Sequence, residues 1–239
     1  MPHKQLESFS LLLEERVFGY DLLRLVFLEE PSRDLIKIIA ENQLIAGFPF
    51  IEDDQRIADG CHEISEYLDG IADAVDQHGS AAQWYEKLVW DYTKMFIGPN
   101  ELLAPPWEST YCSKERLLFQ ETTLQVRKAY LRHNVIPKNY PNEADDHIGL
   151  ELDFMHYITK KSLEALEMND LACVNSLLTE QQDFLEQHLQ LWVPEFADKV
   201  ITHADSGFYR GMGRVLEGFI ATDYLVIKEL KAALSIEDM

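Results

Sequence analysis

The densest run of side chains able to move a proton or hold a cation is Asp145-Asp146-His147, flanked by Glu143 and Glu151. Two carboxylates beside an imidazole could ligate a divalent ion or form a proton-transfer pair, so one reading is a helical metal-dependent hydrolase centred on Asp145, Asp146 and His147. The other histidines lend it little. His156 lies nine residues from His147, poorly placed for the same helical face, and His62 sits in His62-Glu63-Ile64-Ser65-Glu66, which lacks the second histidine of a zinc-peptidase helix. The plain alternative is a charged helix N-terminus stabilised by its dipole. No P-loop, no GxGxxG and no Gly-x-Ser-x-Gly elbow occurs.

A second constellation is aromatic. Trp84, Leu88, Tyr92 and Met95 line one helix face, which by default is core packing. Just beyond it, Pro105-Pro106-Trp107-Glu108-Ser109-Thr110-Tyr111 puts two aromatics on a stiff, proline-set loop. Such a loop could form a groove for an apolar peptide at low ordering cost. Glu101, Glu108 and Asp146 could offer carboxylates to arginines on the same peptide.

The whole chain favours cationic partners. Its 42 Asp and Glu outnumber 21 Lys and Arg, giving a formal charge of −21 and a field that repels nucleic acids and anionic membranes. The longest stretch without Asp, Glu, Lys or Arg is Asn42 to Ile51, about half of what a membrane-spanning helix needs. Leu11, Leu12 and Leu13 are bracketed by Glu7, Glu14 and Glu15, so a secretory signal is not expected and the cytoplasm is. Cys61, Cys112 and Cys173, odd in number and widely spaced, read as reduced thiols rather than a zinc site or disulfides.

The elements that must position these residues read as helices. Phe9, Leu12, Leu13, Val17, Tyr20, Leu23 and Phe27 form a stripe ending at Glu30-Pro31, and Ser32 can cap a helix bearing Leu35, Ile36 and Ile39. Ile57, Cys61, Ile64, Leu68, Ile71 and Val75 recur at steps of three and four through Asp59-Gly60 and Asp69-Gly70. This periodicity outweighs the hairpin signal of the two dipeptides, since a helix-interior Gly costs only about 1 kcal/mol. Ser80 and Gln83 have capping-box spacing for the next helix, which should stop at Gly98-Pro99. Ile97 to Ser113 is the long irregular segment.

A further helix reads through Leu124, Arg127, Tyr130 and Leu131 and breaks before Pro137 and Pro141. Asp145 or Asp146 should cap one that buries Ile148, Leu152, Met155 and Ile158. Leu171, Val174, Leu178, Leu185 and Leu189 lie on another, Trp192-Val193-Pro194 should kink or break the chain, and Leu216, Ile220, Tyr224, Ile227, Leu230 and Leu234 mark a last long helix. The expectation is an all-α, single domain over residues 1–239, of about ten helices with a long functional loop and a flexible join near 135–142.

Three blocks in order resemble the TorD/DmsD family of molybdoenzyme maturation chaperones. They are Phe96-Ile97-Gly98-Pro99 followed by Pro105-Pro106-Trp107-Glu108-Ser109, then Asp145-Asp146-His147-Ile148-Gly149-Leu150-Glu151, then Trp192-Val193-Pro194-Glu195-Phe196 with Phe208-Tyr209-Arg210. The resemblance spans roughly Trp84 to Ile220. It implies no catalysis, no cofactor and no metal. It implies binding of the twin-arginine signal peptide and apo form of a molybdopterin-containing oxidoreductase of the DMSO or TMAO reductase type, which assists cofactor insertion and prevents premature export. The implied peptide-binding positions are Tyr92, Met95, Phe96, Pro106, Trp107, Tyr111, Asp146 and His147, on a monomer or a domain-swapped homodimer. Glu143-Ala144 stands where the family often has Glu-Pro, and Asn100 where some relatives have Trp. A related rival is a subunit-assembly chaperone of the nitrate-reductase type. At the α-helix start, Asp146→Ala should lose a cap and His147→Ala should spare it.

Overall fold

The computed structural model describes residues 3–78, 82–99, 101–112, 120–137 and 143–235, and among them the only regular structure is helical. The helices are α1 (His3–Leu28), α2 (Arg33–Glu41), α3 (Gln55–His78), α4 (Ala82–Tyr92), α5 (Ser109–Cys112), α6 (Glu121–Arg132), α7 (Ile148–Glu167), α8 (Leu171–Phe184), α9 (Gln190–His203) and α10 (Gly207–Ser235). Two wide turns, with hydrogen bonds reaching five residues instead of four, extend α4 through Thr93–Ile97 and join α8 to α9 through Leu185–Leu189.

Hydrophobic periodicity produces the long helices directly. Phe9, Leu13, Tyr20, Leu23 and Phe27 on α1 are buried, as are Ile148, Leu152, Met155 and Ile158 on α7, and the two helices pack together. Ser32 Oγ accepts the Leu35 N–H and starts α2 as expected. α3 runs unbroken through Gly60 and Gly70. Gly60 has a tertiary reason to be Gly: a Cβ there would sit 2.6 Å from the Gly211 carbonyl oxygen, so the pair lets α3 and α10 approach at backbone distance. The Ser80 member of the expected capping box, with Asn100, Ser113 and residues 138–142 of the expected join, lies outside the described residues.

Polar side chains pin the frame where apolar contact alone would not fix register. Asp91 on α4 accepts the N–H groups of Asp205 and Ser206 at 2.9 Å each and the Ser206 hydroxyl at 2.6 Å, so α4 holds the α9–α10 turn. Arg16 on α1 and Asp223 on α10 form a fully buried two-pronged ion pair at 2.5 and 3.1 Å, and the Tyr20 hydroxyl donates to the same carboxylate at 2.6 Å.

Two expectations are corrected here. α6 buries Thr123, Val126, Ala129 and Tyr130, leaving Leu124 and Leu131 about half exposed, because the neighbours it packs on lie to the other side of its polar-rich cylinder. Trp192-Val193-Pro194 neither breaks nor ends a helix: α9 runs through Pro194. The irregularity falls just upstream, in the wide turn Leu185–Leu189, and Trp192 is fully buried.

Candidate functional site

The site is assembled from the wide turn after α4, the loop into α5, the start of α7, and the α8–α9 junction. Gly98, at φ 106°, ends the wide turn in a conformation that favours glycine. The Ala104 N–H then bonds the Met95 carbonyl at 3.1 Å, folding the loop back over the turn. Trp107 and His147 form an isolated antiparallel bridge, with the Glu108 N–H on the Asp146 carbonyl at 3.0 Å and the Ile148 N–H on the Pro106 carbonyl at 2.8 Å. The proline-framed loop is thereby clasped to the N-terminus of α7.

Side chains complete the clasp. Asp146 Oδ2 accepts the Ser109 N–H at 2.8 Å, and the Trp107 indole N–H donates to Glu143 Oε1 at 2.8 Å. Asp145 is held by Arg127 at 2.5 and 2.7 Å, while its carbonyl accepts the Tyr130 hydroxyl. The N-cap of α7 is His147, whose Nδ1 accepts the Gly149 N–H at 3.1 Å. This corrects the expectation that Asp145 or Asp146 would cap and that His147→Ala would spare the cap. The carboxylates are drawn away by Arg127 and by the α5 backbone, so the imidazole is left facing the first helical N–H groups. Capping by Nδ1 requires the neutral imidazole with its proton on Nε2, and burial lowers His147 from its ordinary 6.5 to about 4. His147→Ala should therefore cost about 1 kcal/mol in urea unfolding near pH 7, with His147→Asn recovering most of it. Equal stability of the Ala variant and the parent would remove His147 as the cap.

Beneath the loop lies a buried polar cluster. Glu108 is fully buried and shares its carboxylate with His188 Nδ1 at 3.0 and 3.2 Å, and the wide turn Leu185–Leu189 carries that histidine. Glu151, also fully buried, accepts the Trp192 indole N–H at 3.2 Å. Burial, followed by the nearby Glu108 and Asp146 charges, pushes the Glu151 carboxyl well above the usual range. The linkage sign follows. A raised folded value means that the stability supplied by protonated Glu151 is complete below about 4.5, the ordinary value, and is lost as pH rises through the folded value. His147 has the opposite sign, its contribution being present above 6.5 and lost as pH falls through about 4. Glu151→Gln copies the protonated form, so its stability relative to the parent should increase as pH is raised above about 4.5. Parallel stability curves for the two proteins from about pH 4.5 upward would contradict the assignment.

The eight positions singled out in the sequence do converge on this region, at different depths. Met95 and Asp146 are fully buried, and Tyr92, Phe96, Pro106 and His147 are buried as well. Phe96 contacts the rings of Phe27, Tyr92, Phe196 and Tyr209 at centroid distances of 5.0 to 6.1 Å. Only Trp107 and Tyr111 are half-buried. Lys199 sits 4.4 Å over the Tyr111 ring. Of the carboxylates considered for arginine binding, Glu108 and Asp146 are buried and engaged and Glu101 is exposed, while Glu143, not among them, is half-buried beside Trp107. Trp90 and Ile97, about 60% exposed, and Leu103 lie on the same stretch of chain and were not singled out. Glu143, His188 and Trp192 also escaped as site residues, since nothing in their local spacing signals contact with the loop.

Asp145, Asp146 and His147 thus point to three different partners, and the described residues contain no group of three His, Cys, Asp or Glu side chains arranged to hold a metal. The three cysteines are free, and burial pushes the Cys61 thiol up to about 12 and the Cys112 thiol, helped by Glu108, to about 11. Neither is a thiolate nucleophile near neutral pH.

In this all-helical scaffold the charged helix start serves as a structural clasp for an aromatic loop. Residues 52–198 match the nitrate reductase delta subunit family, and the chain belongs to that family, within its TorD/DmsD chaperone branch. Among curated relatives, the chaperone protein TorD of Vibrio cholerae serotype O1 is 26% identical over 94% of this chain and 97% of its own. The Tat proofreading chaperone DmsD of Salmonella typhi is 31% identical over 54% of this chain and 57% of its own. A solved chain from Archaeoglobus fulgidus, described as a redox enzyme maturation protein, is 22% identical over 86% of this chain and 93% of its own, with a TM-score of 0.48. No helix among the described residues is long and apolar enough to cross a membrane.

Proposed function

We propose that this chaperone binds the twin-arginine signal peptide and apo form of a molybdopterin-containing oxidoreductase of the DMSO or TMAO reductase type in the cytoplasm, assisting cofactor insertion and holding back export. The observation that carries the reading is the clasped loop, which presents half-buried Trp107 and Tyr111 and folds back on the turn that carries buried Met95 and Phe96. A peptide would meet Trp107, Tyr111 and the exposed Ile97 and Leu103 first, with Pro106, Asp146 and His147 holding the loop in place. Glu101 and Glu143 are the carboxylates positioned to receive arginines at the surface, and the charge of −21 draws such a peptide in. The names of the relatives support the same class of client.

Titration calorimetry at low salt with the signal peptide of a host molybdenum oxidoreductase tests this. Binding is expected, and replacing the arginine pair by lysines should weaken it only several-fold. Lysine loses the bidentate fork, but the apolar stretch retains its contacts. No detectable heat with any such peptide from the host would overturn the proposal. The family match favours one second reading, a subunit-assembly chaperone of the nitrate-reductase type, which would bind a catalytic subunit lacking a twin-arginine signal. The working unit in either case is the whole chain 1–239, as monomer or domain-swapped dimer exchanging halves about the join near 135–142.

A further inference from the structure

A groove runs between α1 and α10, and none of the residues lining it belongs to the clasped loop. It consists of two adjoining cavities of about 400 and 210 Å³ that share Leu12 and Glu229. Its floor is apolar, formed by Leu12, Phe50 and Val226, and the 56%-exposed Leu225 stands at its rim. Phe50 adopts φ 61°, costly for a bulky residue, and its ring stacks on Phe219 at 5.8 Å. A concave surface with apolar side chains on its floor can accept aliphatic side chains.

The charge around this floor is one-sided. Asp53 and Glu229 are exposed at the groove, and Glu15 lies close enough to Asp53 for that charge to raise its carboxyl, after burial has done so. Among the described residues the one basic side chain in the lining, Arg56, is already engaged by Asp54 at 2.6 Å and by Glu217 at 3.1 Å. The groove therefore presents apolar contact together with carboxylate charge that the fold does not neutralise.

We propose that this groove is a docking site for a basic, aliphatic helix of a partner protein, its leucine-like side chains on Leu12, Phe50 and Leu225 and its arginines or lysines against Asp53 and Glu229. Charge complementarity selects that occupant over an acidic or purely apolar one. The site is separate from the signal-peptide reading above and does not depend on it.

The test uses the full chain and a fluorescein-labelled, 16-residue helical peptide with leucines on one face and arginines on the other, read by anisotropy. Expected results are salt-sensitive binding, loss of affinity by tenfold or more in Asp53→Asn/Glu229→Gln, and light-dependent cross-linking of the peptide to a benzophenone side chain placed at Leu225. The same charge removed as Glu86→Gln/Glu167→Gln should change affinity less than threefold, which separates this site from net charge. The five altered side chains, Asp53, Glu86, Glu167, Leu225 and Glu229, are all exposed, so folding should be retained, with circular dichroism as the check. Equal losses in the two charge variants, or no cross-link at Leu225, would overturn the proposal. So would a cross-link joining two copies of this chain, which would make the groove a self-interface.

Discussion

Replacing Trp107 by alanine should reduce signal-peptide affinity by about tenfold or more, at least about 1.4 kcal/mol, while lowering the thermal midpoint by only a few degrees. The indole is half-buried, donates one hydrogen bond to Glu143 and meets the His147 ring edge-on at 6.0 Å. The bonds that clasp the loop to α7 are backbone bonds of Glu108 and Ile148, and these survive truncation of the side chain. The stability loss should be about 1 kcal/mol, which for a chain of this length shifts the midpoint by about 2–4 °C. Trp192 supplies the contrast. It is fully buried against Tyr111 and Phe196 and bonded to Glu151, so Trp192→Ala should cost about 3–5 kcal/mol. Calorimetric titration and thermal unfolding of both variants check the pair. A large fall in midpoint for Trp107→Ala with affinity preserved in the folded fraction would return Trp107 to the core.

A stability effect as large as that of Trp192 is expected at Asp223, whose removal leaves Arg16 charged and unpaired inside the protein. Both side chains have no exposed surface, and the Tyr20 hydroxyl loses its acceptor at the same time. Asp223→Ala should cost about 3–5 kcal/mol, because a single charge in a dry interior lacks both water and counterion. Arg16→Met/Asp223→Leu should recover much of that loss by replacing the pair with apolar packing. Urea unfolding of the two variants separates the cost of stranding a charge from any net worth of the pair. A loss below about 1 kcal/mol for Asp223→Ala would mean that Arg16 finds water, as surface ion pairs do.

Arg16 also marks where sequence reading stops. It interrupts the apolar stripe between Leu13 and Val17, and a charge in that position reads locally as part of a solvated face. Its counterion is 207 residues away, and no local pattern encodes that distance. His147 failed for a related reason. Short polar side chains are the expected caps, and Asp145 and Asp146 lose the role only because Arg127 and the Ser109 N–H claim their oxygens.

The sequence by itself determined the helical class, the stripes of α1, α3 and α7, the Ser32 cap, the helix end at Gly98, the proline-framed loop and the acidic field. Each follows from nearest-neighbour chemistry, from spacing within a few turns, or from summed charge. The order of three motif blocks also led to the family. Tertiary structure alone decided which face of α6 is buried, where the wide turns fall, and how deep each site residue lies. Tyr92, Met95 and Phe96 are buried and Trp107 and Tyr111 half-buried because the Ala104–Met95 bond folds the loop over the turn after α4 and the Trp107–His147 bridge ties it to α7. Burial is a property of what packs on a residue, and here the packing elements are separated from α4 by up to about half of the chain.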